Sequence, residues 1–503
     1  MSQVEEFVLN SANPNLSQAL NPYLPSYEHV PDGEPHVFGD RVYIFGSHDK
    51  FGGDVYCLLD YVCYSAPIDN LGDWRYEGVI YRKIDDPDNL ENVGEIFAPD
   101  VTQGPDGRYY LFYSVNHRNH VSVAVCDRPA GRYKFWGFVK HSDGVLLGDK
   151  PEDEMQFDPG VLTEGDVTYL YTGFCPAEDN NRHGSMMSVL DKDMLTIVEE
   201  PVFVVPSAQS VQGTAAPTSR TLKWLEAGDE VLKGYKGHEI FEASSIRKVN
   251  GKYVFIYSSV KGNELCYAVA DTPAGPFVYG GVIISNADLG IDTYKDAGKA
   301  AAGWANNHGS IERVGDEWYI FYHRHTNGTN YSRQACVEKI SISADVKIPQ
   351  VMMTSCCNIA PLRSQGTYPA YIACNLYAVS GNAAIPWIGW LADDQPKIVQ
   401  EAEYVGFPES YITNIHDGCI VGFKYFDFKD VHGLAVTVNG YGDGCIEVLT
   451  DTKGDVLGTI KVDGGDEWTI YEGRFNIPDG VDSLYFRFKG NNAIGLKEFT
   501  FLR

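Results

Sequence analysis

The sequence predicts an all-β protein: a five-bladed β-propeller followed by a β-sandwich. Short runs rich in Val, Ile, Tyr and Phe recur between Gly, Asp, Asn and Pro, while long helical periodicities are scarce. Five of these runs are variants of one another: RVYIFGS at 41–47, RYYLFYS at 108–114, VTYLYTG at 167–173, KYVFIYS at 252–258 and EWYIFYH at 317–323. Each follows a turn-forming pair, namely Gly39-Asp40, Asp106-Gly107, Gly165-Asp166, Asn250-Gly251 and Gly315-Asp316.

The outer parts of two units also match. VSVAVCDRPAGRY at 121–133 resembles LCYAVADTPAGPF at 265–277, with Asp, Pro, Ala and Gly in register. Five such units, each with about four strands, make one propeller over residues 12–348. A large irregular sandwich is the alternative. Residues 349–395 break the pattern and read as a connecting segment. From Pro396 a second β-rich module runs to Arg503. Its candidate strands are Val421–Phe428, Leu434–Val438, Cys445–Leu449 and Leu484–Phe488, with Asn439-Gly440 and Asp479-Gly480 as turns.

Composition narrows the function. The 503 residues carry 68 acids against 40 bases, a net charge of -28, which disfavours binding to phosphate backbones and anionic membranes. No apolar run reaches the length of a membrane span. The opening MSQVEEFVLN lacks the basic and apolar regions of a secretion signal, so the expected compartment is the cytoplasm. The eleven Cys are odd in number and scattered, and Cys356-Cys357 is adjacent rather than CxxC-spaced, so neither a disulfide framework nor a zinc site is indicated. Aromatics make up 13%, with 32 Tyr, which suits sheets and also stacking on sugar rings.

The chemistry centres on Gly237–Ser245 (GHEIFEASS), where Glu242 sits among apolar residues ahead of a strand. Burial there raises a carboxyl's pKa and fits it for proton donation. Two similar arrangements occur earlier: Asp32 in VPDGEP and Asp158 in QFDPG. These acids belong to blades one, three and four, and the inner ends of propeller blades converge on one funnel. Three converging carboxylates suit glycosidic cleavage: one activates water, one protonates the leaving oxygen, and the third tunes the proton donor. Read singly, each is equally an ordinary turn acid.

The phrases Pro31-Asp32-Gly33-Glu34-Pro35, Phe97-Ala98-Pro99-Asp100, Phe157-Asp158-Pro159 and Phe241-Glu242-Ala243 resemble glycoside hydrolase family 43 over roughly residues 12–345. The resemblance implies a five-bladed propeller and inverting hydrolysis of arabinose or xylose linkages. By position it makes Asp32 the general base, Asp158 the pKa modulator and Glu242 the general acid. The family's usual Asp-Pro is here Asp32-Gly33-Glu34-Pro35, so Glu34 rivals Asp32, as Glu239 rivals Glu242. An inverting pair stands roughly 6.5–9.5 Å apart, leaving room for water.

The resemblance also implies an active-site arginine at Arg333, with Arg324 a second candidate for binding substrate. Phe97 stands where many relatives carry Trp, as an apolar wall of the sugar pocket; an ordinary blade-core role fits it equally. His308 falls near the propeller axis, where some members hold calcium, although Ca²⁺ prefers oxygen ligands. No cofactor is required for the chemistry. The second module resembles carbohydrate-binding module family 6 through Val399-Gln400-Glu401-Ala402-Glu403, where Glu401 and Glu403 match structural calcium positions. Lys497 stands where that family often has Asp, and Trp468 is a candidate stacking platform.

The expected activity is release of α-L-arabinofuranose from arabinoxylan-derived oligosaccharides. β-Xylosidase activity, alone or in the same pocket, is the alternative. A non-catalytic sugar-binding propeller is the rival class. A metal-dependent hydrolase is disfavoured by the lack of clustered His/Asp ligand motifs.

Overall fold

The computed structural model describes residues 18–291, 299–385, 393–401 and 407–503. The first four blades are consecutive antiparallel meanders of four strands each. They comprise β1–β4 (Glu34–Phe38, Arg41–Phe45, Tyr61–Pro67, Arg75–Tyr81) and β5–β8 (Ile96–Gln103, Tyr109–Val115, Val121–Cys126, Lys134–Phe138). They continue with β9–β12 (Gly160–Glu164, Val167–Thr172, Gly184–Leu190, Ile197–Pro206) and β13–β16 (Ile240–Val249, Lys252–Ser259, Glu264–Ala270, Val278–Ser285). After β17 (Lys299–Trp304), blade five is a three-stranded sheet, β18–β20 (Ile311–Val314, Glu317–His325, Arg333–Ile340).

The recurring aromatic runs are the second strands of their blades, not the innermost ones. Blades stack on a neighbour through both faces, so a mid-blade strand needs apolar residues on both sides and loses its alternation. In β14 every residue after Lys252 is buried. Hydrophobic cores fill the gaps between blades. One joins blade one to two (Phe45, Tyr61, Leu111, Tyr113), and others join two to three, three to four and four to five. A fifth joins blade five back to one through Phe321, Val337, Val42 and Ile44, and so closes the ring. The chain's beginning reinforces that closure, with Asn21 Oδ1 accepting from Val337 N–H at 2.9 Å and Tyr23 N–H donating to Ala335 O at 3.3 Å.

The remaining strands are β21–β24 (Leu362–Arg363, Thr367–Pro369, Asn375–Tyr377, Asn382–Ala384), β25–β28 (Lys397–Gln400, Ser410–Ile415, Ile420–Phe428, Val431–Gly440) and β29–β33 (Asp443–Leu449, Gly458–Val462, Gly465–Ile477, Gly480–Asn491, Ile494–Leu502). All but β24 form two six-stranded sheets around a Phe-rich core of Phe423, Phe426, Phe486 and Phe499, a β-sandwich. The expected connector is more than a tether. β21 and β23 add to β27, β22 adds to β33, and β24 pairs with β17 of the propeller.

Candidate active site

The inner strands of the propeller begin at one end of the ring, and their first residues are conformationally unusual. Asp32 (φ 58°), Ala98 (φ 32°), Asp158 (φ 46°) and Ala243 (φ 67°) all occupy the left-handed region, although none is glycine. Side chains at such φ cost about 1–3 kcal/mol and persist where surrounding structure dictates them. Asp32 and Asp158 each lie two residues before their strands, β1 and β9, and Glu242 is the third residue of β13, beside a register shift. Close approach of the blades adds to the constraint. A Cβ on Gly160 would stand 2.4 Å from Ser244 O, so only glycine fits between β9 and β13 there.

These strand beginnings surround a cavity of ≈ 500 Å³ lined by Asp32, Phe97, Asp158, Glu242, His308 and Arg333 among others. The structure therefore brings together the three predicted carboxylates, Phe97, Arg333 and His308. Asp32 is buried, and its Oδ1 accepts from Arg333 Nη1 at 2.8 Å, with His323 Nδ1 3.3 Å away. Burial alone would raise its pKa, but the Arg333 guanidinium and His323 outweigh this and hold the carboxyl well below the usual carboxylate range. Glu242 is half-buried, and its carboxyl makes no hydrogen bond among the described residues. Burial and the nearby Asp32 charge push it up to about 7 against the pull of Arg333. Asp158 Oδ2 accepts from Ala243 N–H at 3.0 Å, tying it to the backbone beside Glu242. Burial and the charges of Glu242 and Asp32 raise Asp158 well above its ordinary value. Two like-charged buried carboxyls this closely linked do not both ionise readily.

Sequence reasoning missed the support for Arg333. Asp49 accepts from Arg333 Nε (2.8 Å), Nη2 (3.0 Å) and backbone N–H (3.1 Å), and Tyr56 lies 4.7 Å beneath the guanidinium. It also missed an aromatic arc. Phe97, Phe157, Phe174 and Phe241 follow one another around the cavity with ring centroids 5.4, 5.3 and 5.3 Å apart. A signal for three of them was present, because Phe stands immediately before Ala98, Asp158 and Glu242.

Three candidates lie elsewhere. Arg324 does not line the cavity: its Nη1 donates to Ala373 O (2.7 Å) and Nη2 to Tyr371 O (2.6 Å), fastening the propeller to the following segment. Glu34 is buried behind the cavity, where its Oε2 accepts from Arg247 Nη2 (2.9 Å) and Ser245 Oγ (3.1 Å). Glu239 is turned into its own loop, accepting from Gly237 N–H at 2.9 Å. Neither rival acid lines the cavity.

The residues present fit an axial cation. Glu34 Oε1 is a buried carboxylate oxygen without a hydrogen-bond partner among the described residues, and it faces His308 Nε2 across 4.0 Å. Burial lowers His308 to about 4, leaving a neutral imidazole able to ligate. In the sandwich, by contrast, the Lys497 ammonium already pairs with Glu409 and with Glu401 (3.9 Å), where the resemblance implied calcium. Glu403 lies outside the described residues. Lys497 also sits 5.6 Å over the Trp468 ring, covering a face that sugar stacking would need.

Comparison with known proteins decides the family. The model for Glycosyl hydrolases family 43 matches residues 29–218. A xylosidase/arabinosidase of Thermoclostridium stercorarium is 52% identical over 485 residues, spanning 96% of this chain and 98% of its own length. The chain belongs to glycosyl hydrolase family 43. This family 43 protein is a glycoside hydrolase. It is also 27% identical to a xylosidase/arabinosidase of Bacteroides ovatus (65% of this chain, 96% of that protein). An arabinoxylan arabinofuranohydrolase of Paenibacillus polymyxa is 26% identical (96% of this chain, 74% of that protein). No helix among the described residues is long and apolar enough to cross a membrane.

Proposed function

We propose that this hydrolase is an exo-acting, inverting α-L-arabinofuranosidase acting on arabinoxylan-derived oligosaccharides. The observation that carries the reading is the pairing of opposites in one cavity. Asp32 is held ionised by Arg333 and His323, while Glu242, whose carboxyl has no hydrogen-bond partner among the described residues, is raised to about 7. Protein contacts converge on Asp32 Oδ1, leaving Oδ2 to accept a proton from water. The water oxygen bonds to the anomeric carbon as Glu242 delivers its proton to the glycosidic oxygen, whose bond to that carbon breaks. Asp158 fixes the backbone at Ala243 and shares with Glu242 a site where only one of the two carboxyls ionises readily. The Phe arc and Phe97 supply the apolar wall against which the pentose ring packs.

A calcium ion, when bound, would be held by Glu34 Oε1 and His308 Nε2, otherwise by water, and would add positive charge behind Asp158 and Asp32. Catalysis is assigned to residues 12–348, and support of the propeller to the sandwich at 396–503. Nine of the eleven thiols are buried and all are free, which suits a reducing cytoplasm supplied with imported oligosaccharides. β-Xylosidase activity in the same pocket is the second reading, favoured by the double-named relatives.

The test is hydrolysis of p-nitrophenyl α-L-arabinofuranoside and β-D-xylopyranoside by wild type and Glu242→Gln. Release from the arabinoside, lost with sugar leaving groups in the variant, supports both substrate and acid. Preference for the xyloside moves the reading to xylosidase, and silence on both substrates overturns the pentoside reading and reopens the sugar-binding one.

A further inference from the structure

Part of the catalytic cavity comes from outside the propeller. Ile385, only 8% exposed, follows β24 in the segment that leads into the sandwich, yet it lines the cavity beside Trp304, Ala305 and Asn306. Its position is fixed by backbone pairing. β17 and β24 run parallel with Trp304 opposite Ala384, and Ile385 N–H donates to Trp304 O at 2.6 Å. Asn382 Nδ2 braces the same junction, donating to Ala300 O (2.7 Å) and Leu376 O (2.8 Å).

Trp304 contributes more than area. Its indole is part-exposed in the cavity wall, and its Nε1–H is buried without an acceptor among the described residues. A buried donor of this kind costs stability unless something else completes its hydrogen bond. Four residues further on, the same segment reaches His308, whose Nδ1 faces Asp158 Oδ2 at 3.6 Å. Four residues of extended chain span at most ~14 Å. The Trp304–Ile385 wall therefore shares one cavity with the carboxylates and stands within about three sugar rings of them, while their own surroundings are the Phe arc and Arg333.

We propose that Trp304 and Ile385 form the leaving-group subsite, packing the apolar face of the pentose from which the terminal sugar is released. The indole N–H donates to one of that pentose's hydroxyls. The subsite rests on the pentoside-hydrolase reading above. It gives the connecting segment a direct part in choosing substrate, through the strand it lays against the propeller rather than through a separate sugar site in the sandwich.

The experiment compares two substrates of the pentose that wild type prefers. One is its glycosyl fluoride, which has no leaving-group sugar, and the other is an arabinoxylo- or xylo-oligosaccharide. For Ile385→Ala and Trp304→Leu, kcat/KM on the oligosaccharide is expected to fall about ten- to hundredfold, with fluoride hydrolysis within about threefold of wild type. Ile385→Val removes a single methylene and keeps the fold should Ile385→Ala not; its expected loss on the oligosaccharide is about two- to fivefold. Equal losses on both substrates, or none on either, overturn the subsite, since a purely structural strut does not distinguish them. A wild type silent on both overturns the pentoside reading, and the subsite with it.

Discussion

Replacing Arg333 with Met isolates the electrostatic basis of the site. The guanidinium touches Asp32 at 2.8 Å and lowers the carboxyls of both Asp32 and Glu242. With charge centres about 4 Å apart and an effective dielectric near 20, the Asp32 interaction amounts to about 4 kcal/mol, or ~3 pH units. Water entering the vacated space would recover part of this, so a shift of at least ~1.5 units is expected. The sign is set by which forms must be present. On the proposed roles, activity needs Asp32 ionised and Glu242 protonated. In the wild type Asp32 stays ionised throughout the working range, and activity is expected to fall only on the alkaline side, as Glu242 loses its proton around 7. In Arg333→Met an acid limb enters the profile and the alkaline limb moves up, so the optimum shifts to higher pH. The assay is kcat/KM against pH on an oligosaccharide, whose leaving sugar needs the proton. The variant also strands Asp32 and Asp49 as buried acids at a cost of about 3–5 kcal/mol, so the profile is taken well below its lowered melting temperature. An unmoved acid side, or an alkaline limb displaced downward, refutes the reasoning.

Asp49→Asn leaves the Arg333 charge beside Asp32 but breaks its fork. It should lower kcat/KM about ten- to a hundredfold without bringing in an acid limb, which separates aim from charge in one pH profile. Arg324→Ala should do the opposite of an active-site change: kcat stays near wild type, while two carbonyls lose their partners at a cost of about 2–4 kcal/mol, read as a lower melting temperature. A large loss of kcat with an unchanged melting temperature would return Arg324 to the site.

Local sequence revealed the repeat and the acids, because strands, turns and the Phe-plus-acid phrases are encoded by neighbouring residues. Which strand of each blade the aromatic runs form was not legible, since a run buried on both faces reads alike at any mid-sheet position. Arg333 stood ahead of Arg324 only by resemblance, and it is the pairing of β19 with β20 and the docking of Ala373 that separate them in space. Asp49 and Tyr56 meet Arg333 hundreds of residues away and Ile385 meets Trp304 about eighty residues away, so nothing near them in sequence marks their roles. The left-handed backbone at Asp32, Ala98, Asp158 and Ala243 was equally invisible, because none of these residues is the glycine that normally signals it.

The most direct test of the account is the anomeric form of the first product, followed by proton NMR during hydrolysis of an α-L-arabinofuranoside. If Asp32 activates water opposite the proton donor Glu242, β-arabinofuranose forms first and the α form grows in only by mutarotation. Initial release of the α anomer would mean that Asp32 attacks carbon itself, and would contradict the roles assigned to the carboxylates.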